Sequence, residues 1–325
     1  MKKKVAIFIL VLVSLILLVM YISRQRFPFG EKNTSFATIP DKGITRIELQ
    51  GSTEKIVLEN KDGDWVLNGS KETRKTSVLF LLKVLTGIKV KSPVSTELFN
   101  SEIKEKKIDP VRVRVFENRK IIGSFHVYKT RSNIYGNIMK VRENSKPFIV
   151  NLPGYEGDIG SAFTLNKLFW QPHTVFNLLP SEIFSVDFCY TNDRESSFSI
   201  INNSGKFTLH DSGTKITGWD TLKVIRYLTY FTHVSFESWA FDMSVDEKEK
   251  ISNSAPAFTI TVVTTRKDTI RLSLWERHII EKGGEKTYDS DRLWAKNESI
   301  NEFFIIRYLD LDPLIKRRSY FLSGL

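Results

Sequence analysis

Residues Ile44–Leu49 read ITRIEL, and residues Ile183–Phe188 read IFSVDF. Both alternate apolar with polar side chains, the two-residue period of a strand that buries one face. They stand 139 residues apart (183 − 44). Downstream, Ile56, Leu58, Gly63, Trp65 and Leu67 recur as Phe198, Ile200, Gly205, Phe207 and Leu209 at an offset of 142 (198 − 56). Leu82, Leu85 and Thr86 then recur as Ile225, Leu228 and Thr229 at an offset of 143 (225 − 82).

The local chemistry of the first copy predicts three strands and a helix. Asp62-Gly63 is a hairpin turn, because glycine adopts the positive φ that such turns need. Val78, Leu81, Leu82 and Leu85 recur at helical spacing, and Gly87 stands where a C-terminal cap is expected. Two polar stretches follow in matching places, Asn100–Lys107 and Ser244–Ile251, the second opening with Ser244 and Glu247 in capping-box spacing. Pro110 leads into Val111, Val113 and Val115, as Pro256 leads into Phe258, Ile260 and Val262, and Arg119-Lys120 matches Arg266-Lys267 in the next turn. The expected fold class is α+β, two tandem repeats of a strand-rich unit spanning 41–150 and 181–315, with Trp65 and Phe207 as equivalent buried aromatics. Between them, 151–180 carries Phe163, Leu165, Leu168, Phe169, Trp170, Val175 and Phe176, too many apolar side chains for a free linker, and reads as an ordered connector. Residues 316–325 read as a C-terminal tail.

At the other end, Val5–Ile22 reads VAIFILVLVSLILLVMYI. At 1.5 Å per residue it makes a helix of roughly 27 Å, close to the bilayer's hydrocarbon thickness. This predicts a transmembrane helix over 5–22, after a cytoplasmic tail of 1–4 and before a tether of 23–40. Tyr21, Ile22, Ser23, Arg24, Gln25 and Arg26 offer no small-x-small cleavage site, and the chain's single cysteine, Cys189, lies too far away for a lipoprotein signal. Lys2, Lys3 and Lys4 outnumber Arg24 and Arg26, which orients the span N-in. The expectation is a single-pass protein of the bacterial inner membrane with its C-terminal part in the periplasm.

The net charge of +11 does not call for nucleic acid: Lys2, Lys3, Lys4, Arg24 and Arg26 supply five of those charges at the flanks of the apolar run. The remaining basic residues suit a solvated surface, or a docking face for anionic lipid or glycan. A hydrophobic fraction of 41% with 26% charged residues is that of a folded chain, and one cysteine allows no internal disulfide.

The anchor, ITRIEL, the hairpin closing on Trp65 and Leu67, the leucine-rich helix and LFWQPHTVFNLLPSEIFSVDF over Leu168–Phe188 together resemble the bacterial domain-of-unknown-function family numbered 4340. YDSDRLWA from Tyr288 and FFIIRYLDLDPLIKRRSYF from Phe303 are similar to that family's C-terminal pattern. The resemblance implies an envelope accessory role beside gliding-motility-type ABC transporters, with no established reaction and no catalytic residues.

Residue chemistry adds no signature of its own. His126, His173, His210, His233 and His278 are scattered, without H-E-x-x-H, and no P-loop, G-x-S-x-G elbow or dinucleotide fingerprint is present. Gly283-Gly284 suits a turn. Cys189, ending an apolar strand, is expected in the core. Asp289, Asp291 and Arg292, after Tyr288 and before Trp294, combine two carboxylates with a guanidinium. They suit an acid–base or anion site, or a turn with a structural ion pair at a strand end. No catalytic, cofactor-binding or metal residue is assigned. The expected function is a membrane-anchored extracytoplasmic binding or scaffold protein, an accessory of an envelope or ABC-transporter-type complex, without cofactor and not an enzyme. Its partners are the membrane and another protein, not nucleic acid. The alternatives are an envelope hydrolase using the carboxylates and a lipid- or glycan-binding module.

Overall fold

A computed structural model describes residues 12–16, 34–130, 137–280, 285–300 and 302–322. The expected span over 5–22 lies outside these residues except for the helical stretch 12–16. No helix among the described residues is long and apolar enough to cross a membrane. Contacts divide the chain between Pro172 and His173 into two units. Each is a large antiparallel sheet with a few helices, an α+β arrangement.

Unit 1 runs β1 (Arg46–Gln50), β2 (Lys55–Lys61), β3 (Asp64–Leu67), β4 (Lys71–Glu72), α1 (Lys75–Gly87), β5 (Lys89–Pro93) and α2 (Thr96–Phe99), which continues as a π-helical turn, Asn100–Lys104. It closes with β6 (Val111–Glu117), β7 (Lys120–Tyr128), β8 (Asn137–Lys140) and β9 (Phe148–Asn151). The nine strands pair in the order β4-β3-β2-β1-β6-β7-β8-β9-β5. Alternation decides what each face buries. Ile47 stands between Leu58 and Val115, and Leu49 between Ile56 and Val113. These side chains share one core with Val78, Leu81, Val84 and Leu85 of α1. On the opposite, outer face, Tyr128, Ile138 and Ile149 form a smaller core with Phe99 and Ile103 from α2 and its π turn.

Unit 2 runs β10 (Thr174–Phe176), β11 (Ile183–Tyr190), β12 (Phe198–Asn203), β13 (Lys206–Asp211), β14 (Thr214–Lys215), α3 (Thr221–Thr229), β15 (Val234–Ser235), β16 (Ser238–Trp239), α4 (Val245–Ser252), β17 (Phe258–Thr264), β18 (Thr269–Ile280), β19 (Lys286–Asn297), β20 (Glu302–Arg307) and α5 (Tyr308–Leu311). Its large sheet is ordered β14-β13-β12-β11-β17-β18-β19-β20-β16, position for position the order of unit 1. The register agrees too: Val186 stands between Ile200 and Val262, and Phe188 between Phe198 and Ile260. A small outer core recurs, with Trp275, Trp294 and Phe303 beside Ile251 of α4.

Turn chemistry is matched as well. Asp62-Gly63 and Ser204-Gly205 both have two successive positive φ values (54° and 100°, 53° and 87°). In each, the glycine N–H donates to an asparagine carboxamide at 2.9 Å, Asn60 in one and Asn202 in the other. Gly87 does another job than the expected cap: it is the last helical residue of α1, and a Cβ there would meet Leu152 Cδ1 at 2.8 Å.

Several expected boundaries shift. Phe36, in the expected tether, is 1% exposed and packs edge-to-face on Phe125 and Phe148. The expected connector is divided: Leu152, Ile159, Phe163 and Trp170 belong to the core of unit 1, while β10 pairs with β15 in unit 2. The expected tail is core as well, because Phe321 is fully buried against Phe198 and Tyr227, and Arg318 pairs with Asp211. Trp65 and Phe207 are equivalent in register, each facing its turn asparagine, but both are only half-buried at the sheet's end. The buried faces of the helices are Leu81, Val84 and Leu85 in α1 and Val224, Tyr227 and Leu228 in α3, leaving Leu82 half-buried and Ile225 exposed.

Candidate functional site

The carboxylates singled out by the sequence lie within β19, not at a strand end. Glu276 faces Leu293 and His278 faces Tyr288, so Arg277 alone stands opposite Asp289, Ser290, Asp291 and Arg292. This bulge breaks the two-residue period and turns Asp289 inward, to 6% exposure. The Arg277 guanidinium donates to one Asp289 oxygen while lying 5.0 Å over the Trp294 ring. The other Asp289 oxygen accepts the Asp291 N–H at 3.1 Å. The cluster then disperses: Asp291 is exposed, and Arg292 Nε donates to Glu237 at 2.7 Å. The Tyr288 and Tyr308 hydroxyls are hydrogen-bonded, and burial, followed by that bond, holds the Tyr308 phenol above its ordinary range.

The remaining sequence candidates do not converge. Cys189 is exposed, because it alternates with the buried Phe188 and so points to the outer face; the expected core position is corrected. His173 stacks on Phe236, His210 bonds Thr208 and His233 bonds Ser235. Among the described residues no group of three His, Cys, Asp or Glu side chains is placed to hold a metal ion.

A more concentrated site lies on the outer face of unit 1. In VRVRVF, Val111, Val113 and Val115 enter the core and Arg112 and Arg114 point out. Register sets Gln50, Arg112, His126 and Lys140 side by side across β1, β6, β7 and β8. The next row holds Glu48, Arg114 and Ser124. Glu48 is 7% exposed and takes Arg114 at 2.5 Å, with Arg46 and Lys55 each at 3.5 Å, so the arginine of this row is held in an ion pair.

The first row stays open. A cavity of about 530 Å³ is lined by Arg112, Ser124, His126, Val141, Arg142 and Glu143. A turn holds its rim: Ser145 Oγ accepts the Arg142 N–H at 3.0 Å and donates to the Arg142 carbonyl at 2.8 Å. Lys140 Nζ donates to the Glu143 carbonyl at 2.7 Å and sits 4.6 Å over the Phe99 ring. Neither Arg112 nor Arg142 has an acid within ion-pair distance among the described residues, unlike Arg114. His126 Nδ1 is buried without a hydrogen-bond partner. Burial first, then the charge of Arg112, holds the His126 pKa below its ordinary 6.5; Glu143 opposes this and Lys140 adds to it. Lys140 is also held below its ordinary value, by burial and then by Lys104.

Sequence reading missed this site. The alternation of VRVRVF places both arginines on the outer face, but their meeting with His126 and Arg142 depends on the pairing of β6, β7 and β8 and on a loop. Comparison of the chain with protein-family models, curated proteins and solved structures finds no match to any of them.

Proposed function

We propose that the chain is a membrane-anchored, extracytoplasmic binding or scaffold protein of the bacterial inner membrane. In this reading residues 5–22 form an N-in transmembrane helix carrying two tandem copies of one α+β unit, and the protein serves an envelope or ABC-transporter-type complex as an accessory. The observation that carries it is the position-for-position agreement of the two sheet orders, with the same cross-strand partners around Ile47 and Val186. Duplication of a unit with a large inner core and an open outer face supplies surface, which is what a scaffold presents. The engagement of Asp289 by Arg277, and the exposure of Asp291 away from it, favours this reading over a hydrolase built on those carboxylates. The apolar run over 5–22 and the resemblance to the domain-of-unknown-function family 4340 support the envelope setting. Tethering to a bilayer confines the units near membrane partners and raises their effective concentration.

Affinity purification of the full chain from membranes in mild detergent tests the proposal. A stable protein partner should co-purify, remain with Asp289→Ala and Asp291→Ala variants, and be lost when the two units are removed. A clean monomer whose hydrolytic activity disappears with either substitution would overturn the scaffold reading.

A further inference from the structure

We propose that the outer face of unit 1 carries a binding site for a phosphate monoester group, held by Arg112, His126 and Arg142 in the cavity they line. The inference goes beyond the scaffold reading and does not rest on it. Its first support is charge. Arg112 and Arg142 against Glu143 leave one uncompensated positive charge in the lining, and Lys140, bonded to the Glu143 carbonyl beside the cavity, adds a second, which suits a dianion. Its second support is donor geometry. Two guanidinium groups arrive from different segments, β6 and the turn after β8, and neither has a described carboxylate to bind. Guanidinium forks match the paired oxygens of a phosphoryl group. Its third support is the half-buried His126 imidazole, which lines the cavity between them. The ring lines the same cavity, and in its protonated form it can donate an N–H to an anion oxygen held there.

The contrast within the molecule sharpens the assignment. The corresponding row of unit 2 is Cys189, Thr259, Ser273 and Lys296, with neither arginine nor imidazole in the middle. The site belongs to one unit and is not a by-product of the shared architecture.

An anion there favours the imidazolium form, so binding should take up a proton at His126. The charged groups facing that ring are Arg112 from β6, Lys140 from β8, and Arg142 and Glu143 from the following turn. For an anion that keeps both charges across this range, affinity is therefore greatest at low pH and falls as pH rises through the bound-state His126 pKa.

The full chain in neutral maltoside micelles, with histidine labelled for NMR, provides the test. Sulfate is the first probe because it keeps both charges across the histidine range. At constant ionic strength it should raise the pKa of one histidine, identified by its loss in His126→Gln, and leave the other four unmoved. Arg112→Gln with Arg142→Gln should weaken sulfate binding by roughly tenfold or more, since charge-assisted bonds are lost. Both side chains are exposed and unpaired, so the thermal midpoint should hold; if the double variant fails to fold, Arg142→Gln alone must still weaken binding. Inorganic phosphate and micelles doped with phosphatidic acid separate the sources. A His126 shift with phosphate supports a soluble phosphate ester, and a shift with the doped micelles supports a lipid headgroup. No shift of His126 with sulfate, phosphate or phosphatidic acid would overturn the site, as would undiminished binding by the arginine variants.

Discussion

Unit 1 places Gln50, Arg112, His126 and Lys140 in a row across the outer face of its sheet, and unit 2 places Cys189, Thr259, Ser273 and Lys296 in the corresponding row. On the inner face the same strands carry Ile47, Val113 and Phe125 in one unit and Val186, Ile260 and Leu272 in the other, all apolar and buried. The difference shows where each sheet is constrained. An inner side chain must fill space between neighbouring strands and a helix, so its size and polarity are dictated by packing. An outer side chain away from α2 or α4 meets solvent, so charge can be added there at little cost to the fold. The open, basic row of unit 1 is therefore the part of the molecule least explained by architecture.

The largest test of this comparison is in the cores. Leu85 and Leu228 occupy matching helix positions and are both fully buried. Leu85→Ala and Leu228→Ala should each cost roughly 2–5 kcal/mol in urea unfolding. A near-neutral result at one position would break the equivalence. A smaller effect separates the outer rows. The depressed His126 pKa means that unfolded chain binds this proton more readily than folded unit 1. Its contribution to stability is thus present above the ordinary 6.5 and is lost as pH falls through the lower folded value. Comparing wild type with His126→Gln should show the wild type losing more stability between neutral and mildly acidic pH. Equal pH profiles would remove His126 from the account.

How much of this could be read from the residues depended on whether a regular period carried the signal. ITRIEL and IFSVDF became β1 and β11 with the partners their alternation implied, and Asp62-Gly63 became the turn that its positive φ values need. Phe36 and Phe321 were hidden because each is an apolar side chain outside any repeating pattern, and only tertiary packing brings it to a core. Trp65 points inward by parity, but β3 lies next to the sheet's edge, where few neighbours cover an indole. Cys189 was legible after all: one step from Phe188, it had to face the other way. Asp289 was not, because the three-residue excess in β19 opposite Arg277 shifts the parity that would otherwise predict its side. The anion site needed three strands in register and a turn, a juxtaposition that no local pattern encodes.

The central claim is that both units stand outside the cytoplasm on an N-in anchor. Protease added to intact spheroplasts expressing the full chain measures this directly. The account predicts that the C-terminal units are digested without lysis, while a cytoplasmic control protein survives. Protection of the units in intact spheroplasts, with digestion only after lysis, would contradict it.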